Sequence, residues 1–551
     1  MAFISPERLA LGPWPALERA IARLLEHSGF KNVSLVGGAG DLGADVVGTF
    51  KDENWVVQVK FRRSGGADSS GPKEAVKAAS KYDAMHSVGA TNSHFTKDAF
   101  DYWKKTKLNG INLNLWDGDT LLKYFHQLPM WSNKKHELRA YQSQAVDMVE
   151  TSRSEGEIRA LIVMATGLGK SMVAATLMEN EFERNPDQEV LVLAHTRDLV
   201  RQLESSCWSQ LKKERATHLW TDGEEPAFSG GVVFATWQSV SSALKQGENL
   251  MGKYGLVIVD EAHHAPASSF RSLLDGLNPN FLIGLTATPW RGDEASLESV
   301  FGPVTFSMDI VDGMQHGYLC DVDYKMLTDG IDWDHIAKLS TQGLTVKDLN
   351  VHLLLPDRDL AMADRIAQCF STVKNGKALG FCKSITHASN MQPLLSSKGI
   401  RTAIVHSKLP REQRFSNLAA FRRGDIDMLL SVEMLNEGID VPDVNIVAFM
   451  RVTHSRRIFV QQLGRGLRTS QGKTKVTVLD FVADIRRIAA CIQLNREAES
   501  RSKSKEVVRF TDGQIVKFDD PNILPFFDAY LADVADIENY EDGSRLRYPD
   551  V

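Results

Sequence analysis

The stretch LIVMATGLGKS, Leu161 to Ser171, decides how the rest of the chain is read. Leu161-Ile162-Val163-Met164 is an apolar run with β-branched residues, as expected of a buried parallel strand. Thr166-Gly167-Leu168-Gly169 is a tight turn, and Lys170-Ser171 opens an apolar helix through Met178. Strand, glycine loop, Lys-Ser and helix together make a phosphate cradle, because loop N–H groups and the positive end of the helix dipole converge on one point. Lys170 would then reach β/γ-phosphate oxygens of ATP, and the Ser171 hydroxyl would hold Mg²⁺. Met164 stands where the general pattern has glycine, so the motif is matched imperfectly.

Alternation of strands and helices continues downstream. EVLVLAH reads as a strand, TRDLVRQLESSCW as a helix and GGVVFATWQSV as another strand ending in Thr236 and Gln238. LVIVDEAHH is an apolar strand running into Asp260 and Glu261. Carboxylates at the C-terminal end of a parallel strand suit two needs of nucleotide hydrolysis, Mg²⁺ ligation by Asp260 and orientation of the attacking water by Glu261. FLIGLTATPW follows, with Thr286-Ala287-Thr288 at its end. A second βα series begins with a helix, Leu360 to Phe370, and the strand KALGFCKS, and runs on through RTAIVHS, an Arg/Glu-rich helix, DMLLSVEMLNEGIDVPDV and NIVAFMR.

These motifs, in this order, resemble the motor of superfamily 2 helicases, and LNEGIDVP, QQLGRGLR and GKTKVTVLDF resemble the type III restriction enzyme helicase subunit group. The resemblance covers roughly residues 137–482 and implies two RecA-like lobes with ATP between them. It implies adenine recognition by Gln142 in LRAYQ, and phosphate binding by Thr166, Gly167, Gly169, Lys170 and Ser171. It places Gly438 and Asp440 of EMLNEGIDVP at the nucleotide, and makes Arg465 and Arg468 of QQLGRGLR arginine fingers. It also implies DNA held mainly through backbone phosphates, with Ala194 to Leu199 and Thr236 to Gln238 against the strand.

Ahead of the motor, WPALERAIARLLEH has helical periodicity, with Leu17, Ile21, Leu24 and Leu25 on one face. A glycine-rich turn, GGAGDLGAD, leads into a short strand, and WVVQVKF alternates, Val57 and Val59 on one face, Gln58 and Lys60 on the other. A mobile Gly/Ser-rich loop (62–72), a helix from Lys73 to His86, a further helix from Thr96 and the strand INLNLWDG are expected next. GDLGAD, QVK, VGATNSHFTKDAF and INLNLWDG together resemble the Mrr-like branch of the PD-(D/E)xK restriction endonucleases. Such enzymes hydrolyse phosphodiesters with a divalent metal that polarises phosphate and acidifies water. The resemblance implies Asp45 as principal Mg²⁺ ligand, Gln58 as a ligand through its amide oxygen and Lys60 beside the attacking water. Glu18 would complete the shell, and Asp41 is a further candidate. Gln58 stands where the wider superfamily has a carboxylate, which removes one negative charge from the site.

Composition agrees with an ordinary α/β protein: 551 residues, 43% hydrophobic, 24% charged and a formal net charge of −6. No apolar run is long enough for a membrane span, and MAFISPERLALGPW does not read as a signal peptide. Five scattered cysteines without a CxxC point to a reducing cytoplasm rather than to disulfides or a zinc ribbon. The expected organisation is a restriction-endonuclease-like α/β domain (1–130), RecA-like lobe 1 (131–318), a connection (319–356), RecA-like lobe 2 (357–482) and a C-terminal extension (483–551). The expected function is an ATP-dependent DNA helicase or translocase coupled to a Mg²⁺-dependent endonuclease in restriction or anti-phage defence. A repair helicase-nuclease, and a remodelling ATPase whose inactive nuclease fold only grips DNA, remain open on the sequence alone.

Overall fold

The computed structural model describes residues 2–36, 43–221, 223–227, 229–264, 267–287, 294–326, 359–432, 444–450, 469, 473, 475–481 and 508–510. They carry three sheets. The first has strands β1 Lys31–Leu35, β2 Val46–Phe50, β3 Glu53–Lys60, β4 His86–Thr91 and β5 Leu113–Trp116, in that order. β1, β2 and β3 pair antiparallel, and β3, β4 and β5 parallel. Its helices are α1 Pro6–Leu11, α2 Trp14–His27, α3 Ser70–Lys81, α4 Lys97–Leu108 and α5 Gly118–Gln127.

The α2 helix lies where its periodicity placed it, with Leu17, Ile21, Leu24 and Leu25 in one core with Val46, Val57, Val59 and Val88. β3 is central, so residues from both of its faces are buried. The helix expected from Lys73 to His86 instead starts at Ser70 and stops at Lys81. Pro72 is tolerated there because first-turn N–H groups have no intrahelical partner to lose. Asp83 takes a left-handed backbone, φ 46°, and the chain enters β4 at His86. The sequence reading also missed α5, which is capped by the Asp117 side chain accepting from Thr120 N at 2.9 Å.

The second sheet has β6 Arg159–Met164, β7 Glu189–Ala194, β8 Thr217–Trp220, β9 Val232–Thr236, β10 Tyr254–Val259, β11 Phe281–Thr286 and β12 Val304–Met308, ordered β12-β6-β11-β10-β7-β9-β8. Helices α6 Ala140–Ser154, α7 Lys170–Arg184, α8 Arg197–Cys207 and α9 Trp237–Lys245 follow strands or lead into them. α9 begins inside what was read as one long strand, because the Thr236 hydroxyl caps it, accepting from Ser239 N at 3.3 Å. The third sheet has β13 Asp321–Met326, β14 Ala378–Cys382, β15 Thr402–His406, β16 Met428–Val432, β17 Ile446–Met450, β18 Lys475–Asp480 and β19 Val508–Phe510, ordered β15-β16-β14-β17-β18-β13-β19. Every pairing in it is parallel. β13 lies in the stretch read as a connection, where charged residues at alternate positions mask its strand character.

The first sheet and most of the second belong to one compact unit, and the third sheet belongs to another. Inside the first unit, arginines join the N-terminal sheet's helices to the second sheet's layer. Arg19 of α2 lies between Glu204 of α8, 3.1 Å from Nε, and Glu224, which accepts from Nη1 at 2.8 Å. Arg23 donates to the carbonyls of Arg215 (2.7 Å) and Lys212 (3.1 Å), and Arg8 to that of Thr217 (2.7 Å). Burial lowers the Arg23 guanidinium to about 9 and that of Arg8 to about 10. Burial would lower Arg19 as well, but Glu204 and Glu224 together raise it above its ordinary value. Among the described residues no helix is long and apolar enough to cross a membrane.

Candidate nucleotide and nuclease sites

In the glycine loop after β6, Gly167 and Gly169 both have positive φ, 94° and 85°, a conformation that costs glycine nothing. A Cβ added at Gly169 would lie 2.5 Å from Gln142 Nε2. Gln142 is thus buried against the loop, and its Oε1 accepts from Arg139 N at 2.9 Å across the start of α6. Lys170 is the first residue of α7, and its Nζ lies 3.9 Å from Glu261 Oε1. Asp260 follows β10, buried, with its N–H donating to Leu193 O at 2.8 Å. Glu261 takes φ 49°, rare outside glycine and a strain that accompanies functional turns. Fully buried His263 places Nδ1 2.8 Å from Thr286 Oγ1 and 3.4 Å from Glu261 Oε2. That link ties the carboxylate turn to the end of β11, a role the sequence reading did not give His263.

Lys170, Asp260 and Glu261 thus stand in one region at strand ends, with an ammonium and two carboxylates. This donor set fits a nucleotide's phosphates and their Mg²⁺, with Ser171 next on α7. Beyond the ends of β7 and β9 an open cleft of about 660 Å³ is lined by His195, Thr196, Arg197, Arg201, Thr236 and Gln238. Arg197 and Arg201 bring positive charge to it beside Asp198, and Thr196, Thr236 and Gln238 bring hydroxyl and amide groups of the kind that contact backbone phosphates.

In the N-terminal sheet, Asp45 and Gln58 are both 4% exposed. Asp45 Oδ2 accepts from Gln58 Nε2 and from Val59 N, each at 2.6 Å. The Gln58 amide therefore has its nitrogen on Asp45, and its buried Oε1 has no hydrogen-bond partner. An orphaned buried acceptor is costly, and an amide oxygen beside a carboxylate suits a hard cation. Among the described residues no group of three His, Cys, Asp or Glu side chains could hold a metal. Lys60 ends β3, two residues beyond Gln58, and pairs with Glu74 of α3 at 2.6 Å. Glu18 is buried on α2. Glu74 went unread in the sequence; the signal available was the run of small residues, Ser69-Ser70-Gly71, that lets α3 approach β3. Asp41, Thr288, Gly438, Asp440, Arg465 and Arg468 lie outside the described residues.

Three family models match the chain. Residues 12–125 match a restriction endonuclease domain, Mrr_cat; residues 135–291 match the res subunit of type III restriction enzymes; residues 361–470 match the helicase conserved C-terminal domain. The chain is 26% identical over 380 residues to the type I restriction enzyme EcoAI endonuclease subunit of Escherichia coli, covering 62% of this chain and 46% of that one. It is 26% identical over 373 residues to the DNA 3′-5′ translocase XPB2 of Sulfurisphaera tokodaii, covering 61% of this chain and 79% of that one. The solved structure of the ATP-dependent type ISP restriction-modification enzyme LlaBIII bound to DNA shares its fold with 97% of this chain, at TM-score 0.55 and 17% identity; the match covers 42% of that enzyme. The chain thus spans about half the length of several relatives.

Proposed function

Since the chain carries superfamily 2 helicase domains of the type III restriction enzyme kind behind an Mrr-like restriction endonuclease domain, we propose that it is an ATP-driven DNA translocase or helicase coupled to a Mg²⁺-dependent endonuclease. The observation that carries the motor half is Lys170 Nζ 3.9 Å from Glu261 Oε1, beside Asp260. In this reading Lys170 and the loop N–H groups bind the β/γ-phosphates, Gln142 binds the adenine edge, and Thr166, Gly167 and Gly169 shape the loop. Ser171 and Asp260 would hold the Mg²⁺, which neutralises developing phosphate charge when bound. Glu261 orients the attacking water and takes its proton. The resemblance also implies roles at the nucleotide for Gly438, Asp440, Arg465 and Arg468. DNA follows the cleft of Arg197 and Arg201 through its phosphates, so grip is largely independent of sequence and weakens with salt.

In the nuclease half, Asp45 and the Gln58 amide oxygen would hold a divalent ion that polarises the scissile phosphate, Lys60 orients the water, and Glu18 supports the site from α2. The chain divides at about residues 130, 318, 356 and 482 in this reading. Coupling a motor to a cutter suits restriction or anti-phage defence in a prokaryotic cytoplasm. The test is to assay full-length protein for cutting and ATP hydrolysis on duplex, forked and single-stranded DNA, with and without ATP and Mg²⁺. DNA-stimulated ATPase with ATP- and Mg²⁺-dependent cutting is the expected result. ATPase with no cleavage of any DNA would leave the nuclease fold a DNA-gripping module; absence of ATPase would remove the motor.

A further inference from the structure

We propose that Glu74 is a positioning residue for phosphodiester cleavage, holding the Lys60 ammonium at the edge of the Asp45–Gln58 site; the proposal rests on the nuclease reading above. Lys60 Nζ lies 2.6 Å from Glu74 Oε2, with the lysine side chain 29% exposed and the glutamate 41%. An exposed lysine–glutamate pair alone contributes little. Two glycines set this one apart. A Cβ at Gly71 would meet Lys60 Cγ at 2.8 Å, so the lysine stem crosses the first turn of α3 where a side chain is missing. A Cβ at Gly43, two residues before Asp45, would lie 2.8 Å from Glu74 Cβ and 2.9 Å from Glu74 O. Gly43 also has φ 88°, a backbone that other residues rarely take. The turn carrying Asp45, the strand carrying Gln58 and Lys60, and the helix carrying Glu74 therefore close on one another at positions that exclude side chains.

Charge explains why a second acid belongs there. Gln58 is neutral, so Asp45 is the one carboxylate among the three implied site residues on β3 and its neighbouring turn. A lysine on a flexible four-carbon stem has many positions open to it, and only some of them put its ammonium beside the attacking water. Glu74 takes that ammonium and fixes its place at the edge of the site, a job that neutral Gln58 cannot do. Asp45 itself is steered by the Gln58 amide and Val59 N. Glu74 acts through Lys60 and touches no reacting atom.

The experiment uses full-length protein with Glu74→Gln, Glu74→Asp and Lys60→Ala, singly and with Glu74→Gln combined with Lys60→Ala. Plasmid nicking is followed across DNA and Mg²⁺ titrations, with DNA-stimulated ATPase, thermal midpoint and Mn²⁺ binding by electron paramagnetic resonance measured in parallel. Glu74→Gln should slow nicking at saturating DNA and Mg²⁺ about tenfold or more, the scale of a misplaced catalytic group. KM for DNA, half-saturating Mg²⁺, Mn²⁺ binding, ATPase and thermal midpoint should stay at wild-type values. Glu74→Asp, which keeps the charge, should recover part of the rate, and Glu74→Gln should add nothing once Lys60 is alanine. Nicking by Glu74→Gln at the wild-type rate overturns the proposal. A raised Mg²⁺ requirement or weakened Mn²⁺ binding also overturns it, by making Glu74 a metal ligand. Equal losses in Glu74→Gln and Glu74→Asp with a lowered thermal midpoint reduce the pair to a fold contact and overturn it too. Wild-type protein that hydrolyses ATP but cuts no DNA removes the nuclease reading itself, and this proposal with it; that outcome is seen before any variant is compared.

Discussion

At the end of β10, Asp260 and Glu261 set two carboxylates next to each other in sequence, with Lys170 Nζ 3.9 Å from the second. Beside β3, Asp45 has an amide for its neighbour, and the second acid, Glu74, sits on α3 with Lys60 on it at 2.6 Å. The first arrangement puts two adjacent carboxylates at the end of a buried parallel strand, one of them 3.9 Å from a lysine. The second spreads the same number of acids over a turn and a helix and uses one to hold the lysine. A phosphate-binding site that must also hold Mg²⁺ can leave its lysine loosely paired, because the nucleotide itself will claim it. In the proposed reading the second site's anionic substrate would be a single phosphodiester, which brings less charge of its own and leaves its lysine to a resident partner. The teaching of the contrast is that a lysine's nearest carboxylate, rather than its motif, says whether the ligand or the protein is to hold it.

The sharpest way to break this comparison is to remove Asp45. Asp45→Ala should bring plasmid nicking below detection at every Mg²⁺ or Mn²⁺ concentration while DNA-stimulated ATPase continues, because the motor has its own carboxylates. Undiminished nicking would mean that the cutting site lies elsewhere. Next in size is the arginine joint within the first unit. Arg19→Ala leaves Glu204, 1% exposed, and Glu224 without their shared cation. Breaking a buried pair in this way costs about 3–5 kcal/mol. Denaturant unfolding should show a first transition shifted to lower concentration; an unshifted profile would show that the joint is not needed to hold α2 in place.

Glu261→Gln tests the motor side of the contrast. Turnover should fall about a hundredfold, the scale of general-base assistance, with nucleotide binding retained. Lys170→Ala should lose turnover to a similar degree and lose nucleotide affinity as well. Steady-state ATPase and binding of a fluorescent nucleotide separate the two variants, and near-normal turnover in either contradicts the roles assigned. Gln58→Glu carries the smallest change. It gives the nuclease site the second carboxylate that the motor site already has. The half-saturating Mg²⁺ for nicking should fall a few-fold, since hard cations favour charged oxygen ligands. A Mg²⁺ dependence identical to wild type would show that the Gln58 oxygen meets no metal.

Much of this was legible in the residue order. Chemistry confined to a strand end and the loop that follows can be read from local pattern: Lys170 after its glycine loop, and Asp260-Glu261 after the four apolar residues Leu256 to Val259. The period-two alternation of β3 placed Gln58 and Lys60 on the face opposite Val57 and Val59; the structure packs the two valines into the core with α2 and sets Lys60 against α3. Two of the features that resisted reading show why. α3 starts at Ser70 although Pro72 follows, since the penalty for proline vanishes in a helix's first turn. β13 belongs to the third sheet although its charged residues make it look like a connection. There, pairing with β18 and β19 outweighs local composition.

By itself, the sequence determined the α/β class, the order of nucleotide and nuclease motifs, and the identities of Lys170, Asp260, Glu261, Asp45, Gln58 and Lys60 as candidates. All of these are properties of short segments, where backbone geometry translates residue spacing directly into direction. Only the tertiary structure decided which groups meet. It put Glu74 on Lys60, turned the Gln58 nitrogen onto Asp45 and left its oxygen without a partner, joined His263 to Thr286, and buried Arg19 between Glu204 and Glu224. Residue pairs brought together from separate elements depend on how helices settle on sheets, and that packing is set by side-chain volume and by glycines such as Gly43 and Gly71, which no local periodicity reports.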